Sequence, residues 1–322
     1  MLVAMHMPDH TLSTPVVCGT ALAAAAVALW GAVQMRRAKV DQQAHPAGLV
    51  AAVAALIFAG QMVNYALPMN GGGEGVSGHL LGGAIAALLL GPWAAMGVMI
   101  MVLAVQCVLF GDGGLAALGA NALNMAIVGV WAAWGVRKLL VKENKPAGVA
   151  VAGLAGFVSV IAAAAVCSLE LLASGGEGAT AVIRPMLTYH LAIGVVEGLL
   201  TAGVVALVAA YHAKSSKNAA VDTAQARTKA ALIGFAAAIL IAAALSPLAS
   251  ASPDGLEVAL AQANFTTGAS YWLAPLPDYE LPAGFGATST AAAIAIAILG
   301  TIVAFAGSWS ATRMSTAVAR RG

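Results

Sequence analysis

The sequence predicts an all-α fold, a polytopic membrane helix bundle of about nine transmembrane helices, on three observations. First, only 9% of the 322 residues are charged and 61% are hydrophobic, with a mean hydropathy of +0.90, whereas soluble domains carry roughly 25% charged residues. Second, apolar runs close to the ~20 residues needed to cross a bilayer core recur along the whole chain. Third, the basic residues are confined to a few short segments between those runs.

The runs lie near 15–35, 47–68, 79–90, 92–110, 118–140, 148–173, 186–211, 230–249 and 288–309. Residues 1–13 contain no Lys or Arg, and the run that follows is long enough to span, so it reads as a permanent helix rather than a signal peptide. The third run is short, and Gly91-Pro92 separates it from the fourth. Proline lacks the N–H and clashes with the preceding turn. The pair is therefore either two short helices in a hairpin or one broken helix, which at membrane depth must line a cavity or pack in protein.

Charge then sets the orientation. Arg36, Arg37 and Lys39 follow the first run; Arg137, Lys138, Lys142 and Lys145 the fifth; Lys214, Lys217, Arg227 and Lys229 the seventh; Arg313, Arg320 and Arg321 the ninth. Only Arg184 lies elsewhere. Nine crossings place all four segments on one face, which the positive-inside rule makes cytoplasmic. The N-terminus is then outside and the C-terminus inside. The opposite face carries Asp9, Glu74, Asp112, Glu177, Asp254, Glu257, Asp278 and Glu280. The polar stretch 215–229 reads as a cytoplasmic linker between a seven-helix part (1–214) and a two-helix part (230–322). The longest outward segment is 250–287.

Several function classes fall away. A net charge of +2 gives no basis for a nucleic-acid partner. Cys18, Cys107 and Cys167 lie in apolar runs without CxxC spacing and read as buried free thiols. Gly73-Glu74-Gly75-Val76-Ser77-Gly78 matches GxGxxG formally, but a dinucleotide site needs a βαβ unit around it. No P-loop, HExxH, nucleophile elbow or paired-carboxylate constellation occurs. The chain reads as neither an enzyme nor a holder of a cofactor.

The histidines carry the remaining chemistry. An amino terminus, the following amide nitrogen and the Nδ1 of a histidine at position two close a five- and a six-membered chelate ring on one divalent ion. Such nitrogen donors in a plane suit Ni(II) or Cu(II). His6 occupies position two only if the chain begins at Met5; otherwise it reads as a surface histidine in a short tail. His79 follows a glycine-rich outward loop, where it either bonds a carbonyl or acts as an intramembrane functional group. His190 and Glu197, seven apart, share one face of the seventh run and read first as structural hydrogen-bonding groups. Glu170 reads as facing water. His10, His45 and His212 receive no role.

Met5-His6-Met7-Pro8-Asp9 with Leu12-Ser13 resembles the opening of the CbiM/NikM family. The likeness continues in Gln61-Met62-Val63-Asn64, Ser77-Gly78-His79-Leu80-Leu81-Gly82-Gly83, Leu90-Gly91-Pro92-Trp93-Ala94, Gly111-Asp112-Gly113-Gly114-Leu115 and Leu118-Gly119-Ala120-Asn121. His190 through Glu197-Gly198 resembles the family's last core helix. Ser252-Pro253-Asp254-Gly255-Leu256-Glu257 contains a literal PDGLE motif, and Pro277-Asp278-Tyr279-Glu280-Leu281-Pro282 resembles the second motif of the NikN-like domain.

The resemblance implies the substrate-capturing membrane component of an energy-coupling-factor, ABC-type importer for Co(II) or Ni(II), in the cell membrane. It implies two ATPase subunits and a transmembrane coupling subunit as partners. It also implies that the N-terminal segment tucks into the bundle and that Met5, His6 and His79 hold the metal. The C-terminal part would cover the metal entrance or assist loading. Two departures stand out. Met1 to Ala4 precede the family's start, which points to translation from Met5, and His10 replaces the family's glycine. The competing reading is a stand-alone proton-coupled divalent metal transporter with His190 and Glu197 as its relay.

Overall fold

The computed structural model describes residues 6–40, 45–70, 75–142, 145–175, 179–216, 223–265, 267–268, 270–280 and 290–319. The long elements are α1 (Thr14–Val40), α2 (Ala47–Gln61), α3 (Gly83–Val105, continued by a π-helical turn Gln106–Phe110) and α4 (Leu118–Asn121), which runs through a π-helical stretch, Ala122–Gly129, into α5 (Val130–Leu140). They continue with α6 (Val149–Ser174), α7 (Ile183–Ser216), α8 (Thr223–Leu245), the short α9 (Gly255–Gln262) and α10 (Thr290–Ala319). Among the described residues, seven helical segments have the length and composition to cross a membrane, and Ala47–Gln61 is a shorter apolar helix. The protein is a multi-pass membrane protein. Leu22, Leu199, Leu207 and Leu240 point outward from the bundle, as side chains facing lipid do.

Helices can meet closely here because small residues line the seams. A Cβ on Gly156 would lie 2.9 Å from the Glu197 carbonyl oxygen, and one on Gly198 would lie 2.7 Å from the Gly153 carbonyl oxygen. α6 and α7 therefore pack backbone to backbone. The C-terminal helices α8 and α10 pack against α2. α7 reaches Ser216 and α8 starts at Thr223; of the linker expected at 215–229, residues 217–222 lie outside the described residues.

The Gly91-Pro92 break folds one element back on itself. Gly91 has φ 73° and ψ 166°, outside the helical region, a conformation open to glycine because it has no Cβ. Gln61, at the end of α2, donates to the Leu81 carbonyl at 2.9 Å and accepts from Gln106 Nε2 at 2.9 Å. An unbroken helix would hold residues 81 and 106 roughly 37 Å apart at 1.5 Å per residue. Both reach one side chain, so the two arms form a hairpin with its turn at Gly91. The runs near 79–90 and 92–110 are its arms.

The descending arm is short because residues 62–70 and 75–82 are not helical. The helix expected over 47–68 stops at Gln61, and the chain enters the antiparallel strands β1 (Tyr65–Asn70) and β2 (Gly75–Gly78), pairing Tyr65 with Gly78 and Ala66 with Ser77. This is the one sheet among the described residues. The chain then dips into the bundle, where Glu197 accepts from the Leu81 and Gly82 amides at 2.7 and 2.9 Å. Non-helical backbone at this depth must be satisfied by protein, and Gln61 and Glu197 do so.

Two side-chain expectations are corrected. Glu170 is buried, not water-facing, and accepts from Asn124 Nδ2 at 2.7 Å, because the start of the π-helical stretch covers that turn of α6. Cys18 is exposed on the outer face of α1, while Cys107 and Cys167 are buried.

Gln61→Leu keeps the volume but strands the Leu81 carbonyl and the Gln106 amide. We expect a stability loss of about 1–3 kcal/mol per stranded buried group, seen as a lower thermal unfolding midpoint in detergent.

Candidate metal centre

One end of the bundle gathers residues 6–13, the β1–β2 hairpin, residues 111–117 and the segment after α8. The N-terminal segment runs inward and is fastened by main-chain bonds. Asn121 accepts from the Met7 amide at 2.9 Å and donates to the Met7 carbonyl at 3.1 Å, and the Gly114 amide donates to the same carbonyl at 2.9 Å. Asp9 accepts from the Leu115, Ala116 and Tyr271 amides and from Ser270 Oγ. The glycine-rich stretch exists to admit this segment. Gly113 has φ 83°, and a Cβ on it would sit 2.9 Å from the His6 Cβ; one on Gly114 would collide with Asp9.

His6 is buried, which removes the surface-tail reading. Its Nδ1 lies 2.9 Å from Asp112 Oδ1. The other Asp112 oxygen accepts from the Tyr279 hydroxyl at 2.6 Å. Tyr279 stacks on Phe110, with ring centroids 4.6 Å apart. Burial, then the Asp112 charge, push the Tyr279 phenol well above its ordinary value, so it stays a donor. Asp278 and Tyr279 both have positive φ, 53° and 57°, a conformation costing about 1–3 kcal/mol per residue, of the kind that gathers at functional sites. His6 Nε2 is buried and makes no hydrogen bond among the described residues.

The His79 ring comes within 5.7 Å of the His6 ring, centroid to centroid. Its Nδ1 lies 3.0 Å from the Leu80 carbonyl, and its Nε2 lies 3.7 Å from Asp254 Oδ2. Both histidines border a cavity of ≈ 70 Å³ that is also lined by Met7, Cys167, His190 and Asp254. Asp254 is held in place as the N-cap of α9 in a reciprocal capping box with Glu257. Burial, then the Asp254 charge, push the Glu257 carboxyl up to about 8. Among the described residues, no three His, Cys, Asp or Glu side chains are placed to hold an ion on their own.

Of the residues singled out in the sequence, His6 and His79 are brought together, and Met5 lies outside the described residues. His190 lines the cavity, with Nδ1 2.7 Å from the Met186 carbonyl. Glu197 does not join it; both its oxygens hold the Leu81-Gly82 loop. His10 lies outside the cavity lining, exposed, with its ring 4.2 Å from that of Tyr271. Asp112, Asn121 and Tyr279 were missed as site residues. Their motifs are conspicuous in the sequence, but their pairing with residues 6 and 7 is tertiary.

The family model for the cobalt uptake substrate-specific transmembrane region, CbiM, matches residues 6–215, and that for the PDGLE domain matches residues 228–316. A protein of Archaeoglobus fulgidus, provisionally named a fused nickel transport protein NikMN, is 34% identical over 96% of this chain and 98% of its own. The cobalt transport protein CbiM of Sorangium cellulosum is 32% identical over 56% of this chain and 80% of its own. A crystal structure of a truncated transition metal transporter matches 66% of this chain and 99% of its own, with 29% identity and a TM-score of 0.52. With its inward-folded head and paired histidines, the chain belongs to the CbiM family of cobalt and nickel transport proteins, carries a C-terminal PDGLE domain, and is a transporter rather than an enzyme.

Proposed function

We propose that the chain is the metal-capturing membrane component of an energy-coupling-factor importer for Co(II) or Ni(II), with Met5, His6 and His79 holding the ion. The observation that carries this reading is the approach of the buried His6 ring to His79 at one cavity. The ligand set is nitrogen: the Met5 amine where Met5 heads the chain, the His6 amide and imidazole, and the His79 imidazole. Nitrogen donors favour late first-row metals, whereas Mg²⁺ and Ca²⁺ prefer oxygen. Main-chain nitrogens also complete a set that side chains alone do not provide.

The His6 ring has a part to play in loading. The chelate uses Nδ1, the atom now beside Asp112. A half-turn about Cβ–Cγ frees Nδ1 for the metal and brings Nε2 to the former Cε1 position, next to the point that Asp112 now faces, so with a shift of its carboxylate Asp112 keeps the imidazole through Nε2. Carboxylates that orient ligating histidines in this way raise their basicity. Tyr279, bonded to Asp112, extends that support into the C-terminal domain.

The cavity end faces outside and the basic end faces the cytoplasm in this reading, since Lys and Arg collect in cytoplasmic loops. The sequence contains no GxxxxGK[ST] segment. ATP hydrolysis is therefore assigned to two separate ATPase subunits, joined through a transmembrane coupling subunit.

Three outcomes test the site. His6→Ala and His79→Ala each abolish Ni(II) and Co(II) binding in calorimetric titration; retained affinity in either sinks the ligand set. Tyr279→Phe leaves the ligands intact but removes the Asp112 partner, lowering affinity about ten- to a hundredfold. Protein beginning at Met5 binds one ion tightly, while protein beginning at Met1 does not; equal binding by both excludes the amine.

A further inference from the structure

Residues 270–273 of the C-terminal domain form a strap whose two sides differ in chemistry. The inner side is polar and fastened to the N-terminal segment. The Tyr271 amide and Ser270 Oγ donate to Asp9 Oδ2 at 2.9 and 3.2 Å, and the Tyr271 hydroxyl lies 3.1 Å from His10 Nδ1. His10 takes a positive φ, 63°, and Gly268 packs on its ring; a Cβ there would lie 2.6 Å from His10 Cδ2. The outer side is apolar. Tyr271 is 65% exposed, Trp272 40% and Leu273 93%. Contiguous large apolar side chains turned away from the protein mark a contact surface.

The height of the strap is fixed by α3. Trp272 Nε1 donates to the Val108 carbonyl at 2.8 Å, and the Leu276 amide donates to the Leu109 carbonyl at 3.0 Å. Val108 to Phe110 close the segment Gly83–Phe110, which has the length and composition to cross a membrane. The triplet therefore stands where that segment leaves the hydrocarbon, the level at which Trp and Tyr collect in membrane proteins. Val108 is itself exposed, so the strap continues the outward side of α3. The Trp272 N–H is bonded to protein, which leaves the indole without need of water. Leu273 protrudes rather than lining a groove. A protein partner would need a pocket fitted to it, whereas lipid conforms to it. Asp278 and Glu280, the charged residues next along the chain, are acidic, which suits a zwitterionic phospholipid better than an anionic one.

We infer that Tyr271, Trp272 and Leu273 dock into the boundary between head groups and acyl chains at the cavity end of the bundle, and that this contact with phospholipid holds the strap down on Asp9 and His10. In the orientation proposed above, the leaflet is the outer one. The bilayer then grips the C-terminal domain at a point between α8 and α10, and through Asp9 it steadies the segment that carries His6.

Two measurements on the full chain without metal, in phosphatidylcholine nanodiscs, test this. In the first, Leu273→Cys is labelled with a fluorophore in a Cys18→Ser chain, Cys107 and Cys167 being buried. The expected result is quenching by phosphatidylcholine bearing a nitroxide near the carbonyl end of one acyl chain, and protection from aqueous iodide. A label at Leu207, exposed on the membrane-crossing part of α7, supplies the lipid reference. Quenching by iodide alone puts the strap in water and overturns the proposal. Protection from both quenchers shows that protein, such as a second copy, covers the strap, and overturns it too. In the second measurement, Leu273→Asp changes none of the side chains that bond Asp9, His10 or Val108. The Tyr271 amide is expected to lose protection against hydrogen exchange, because local opening sets that protection. An unchanged exchange rate overturns the hold on Asp9.

Discussion

Peptide groups inside an apolar bundle must find their hydrogen bonds within the protein, and the architecture around the cavity follows from that constraint. Residues 62–70 and 75–82 carry the His79 loop below the end of the bundle as non-helical chain. Its amides and carbonyls would each cost several kcal/mol if left bare in hydrocarbon. Gln61 and Glu197 supply the missing partners from α2 and α7. Both are fully buried, and both serve the Leu81-Gly82 turn, which begins two residues beyond the candidate ligand. Take them away and neither the loop nor the hairpin turning at Gly91 has a reason to sit where it does.

The same constraint explains the crowded head of the molecule. The segment from His6 to Asp9 lies under the loops and makes its bonds with Asn121, Gly114 and the amides at 115 and 116. Glycine at 113 and 114 leaves room for it. Asp112 sits where the two lobes meet, with one oxygen on His6 and the other on Tyr279. The C-terminal domain is thereby wired to the histidine of the first domain through one carboxylate and to His79 through another, Asp254.

Much of this was legible in the sequence because the motifs concerned are compact. The histidines beside Met5 and Gly78, the Gly91-Pro92 break and the PDGLE string each declare themselves locally. What was not legible depends on pairing across the fold. Tyr65 to Asn70 prolongs an apolar run, and a short apolar run does not distinguish helix from strand, so α2 was expected to continue. Glu170, a lone acid near a helix end, looked solvated until Asn124 was seen across from it. Glu197 shares a helix face with His190 and reads first as a structural hydrogen-bonding group, with a relay as the competing reading; what the spacing does not give is its partners, main-chain amides of a distant loop. Asp112 and Tyr279 stand in visible motifs, yet nothing in their spacing says that they meet over His6.

Fusion of the two domains has a stoichiometric meaning. Asp254 and Tyr279 belong to the same polypeptide as His6 and His79, so every molecule carries one copy of each. Tethered groups meet at an effective concentration on the order of millimolar for short connections, independent of how much protein the membrane holds. A two-chain version of this site would dissociate when diluted in the bilayer; the single chain removes that dependence, and with it any need for the cell to match the expression of two parts.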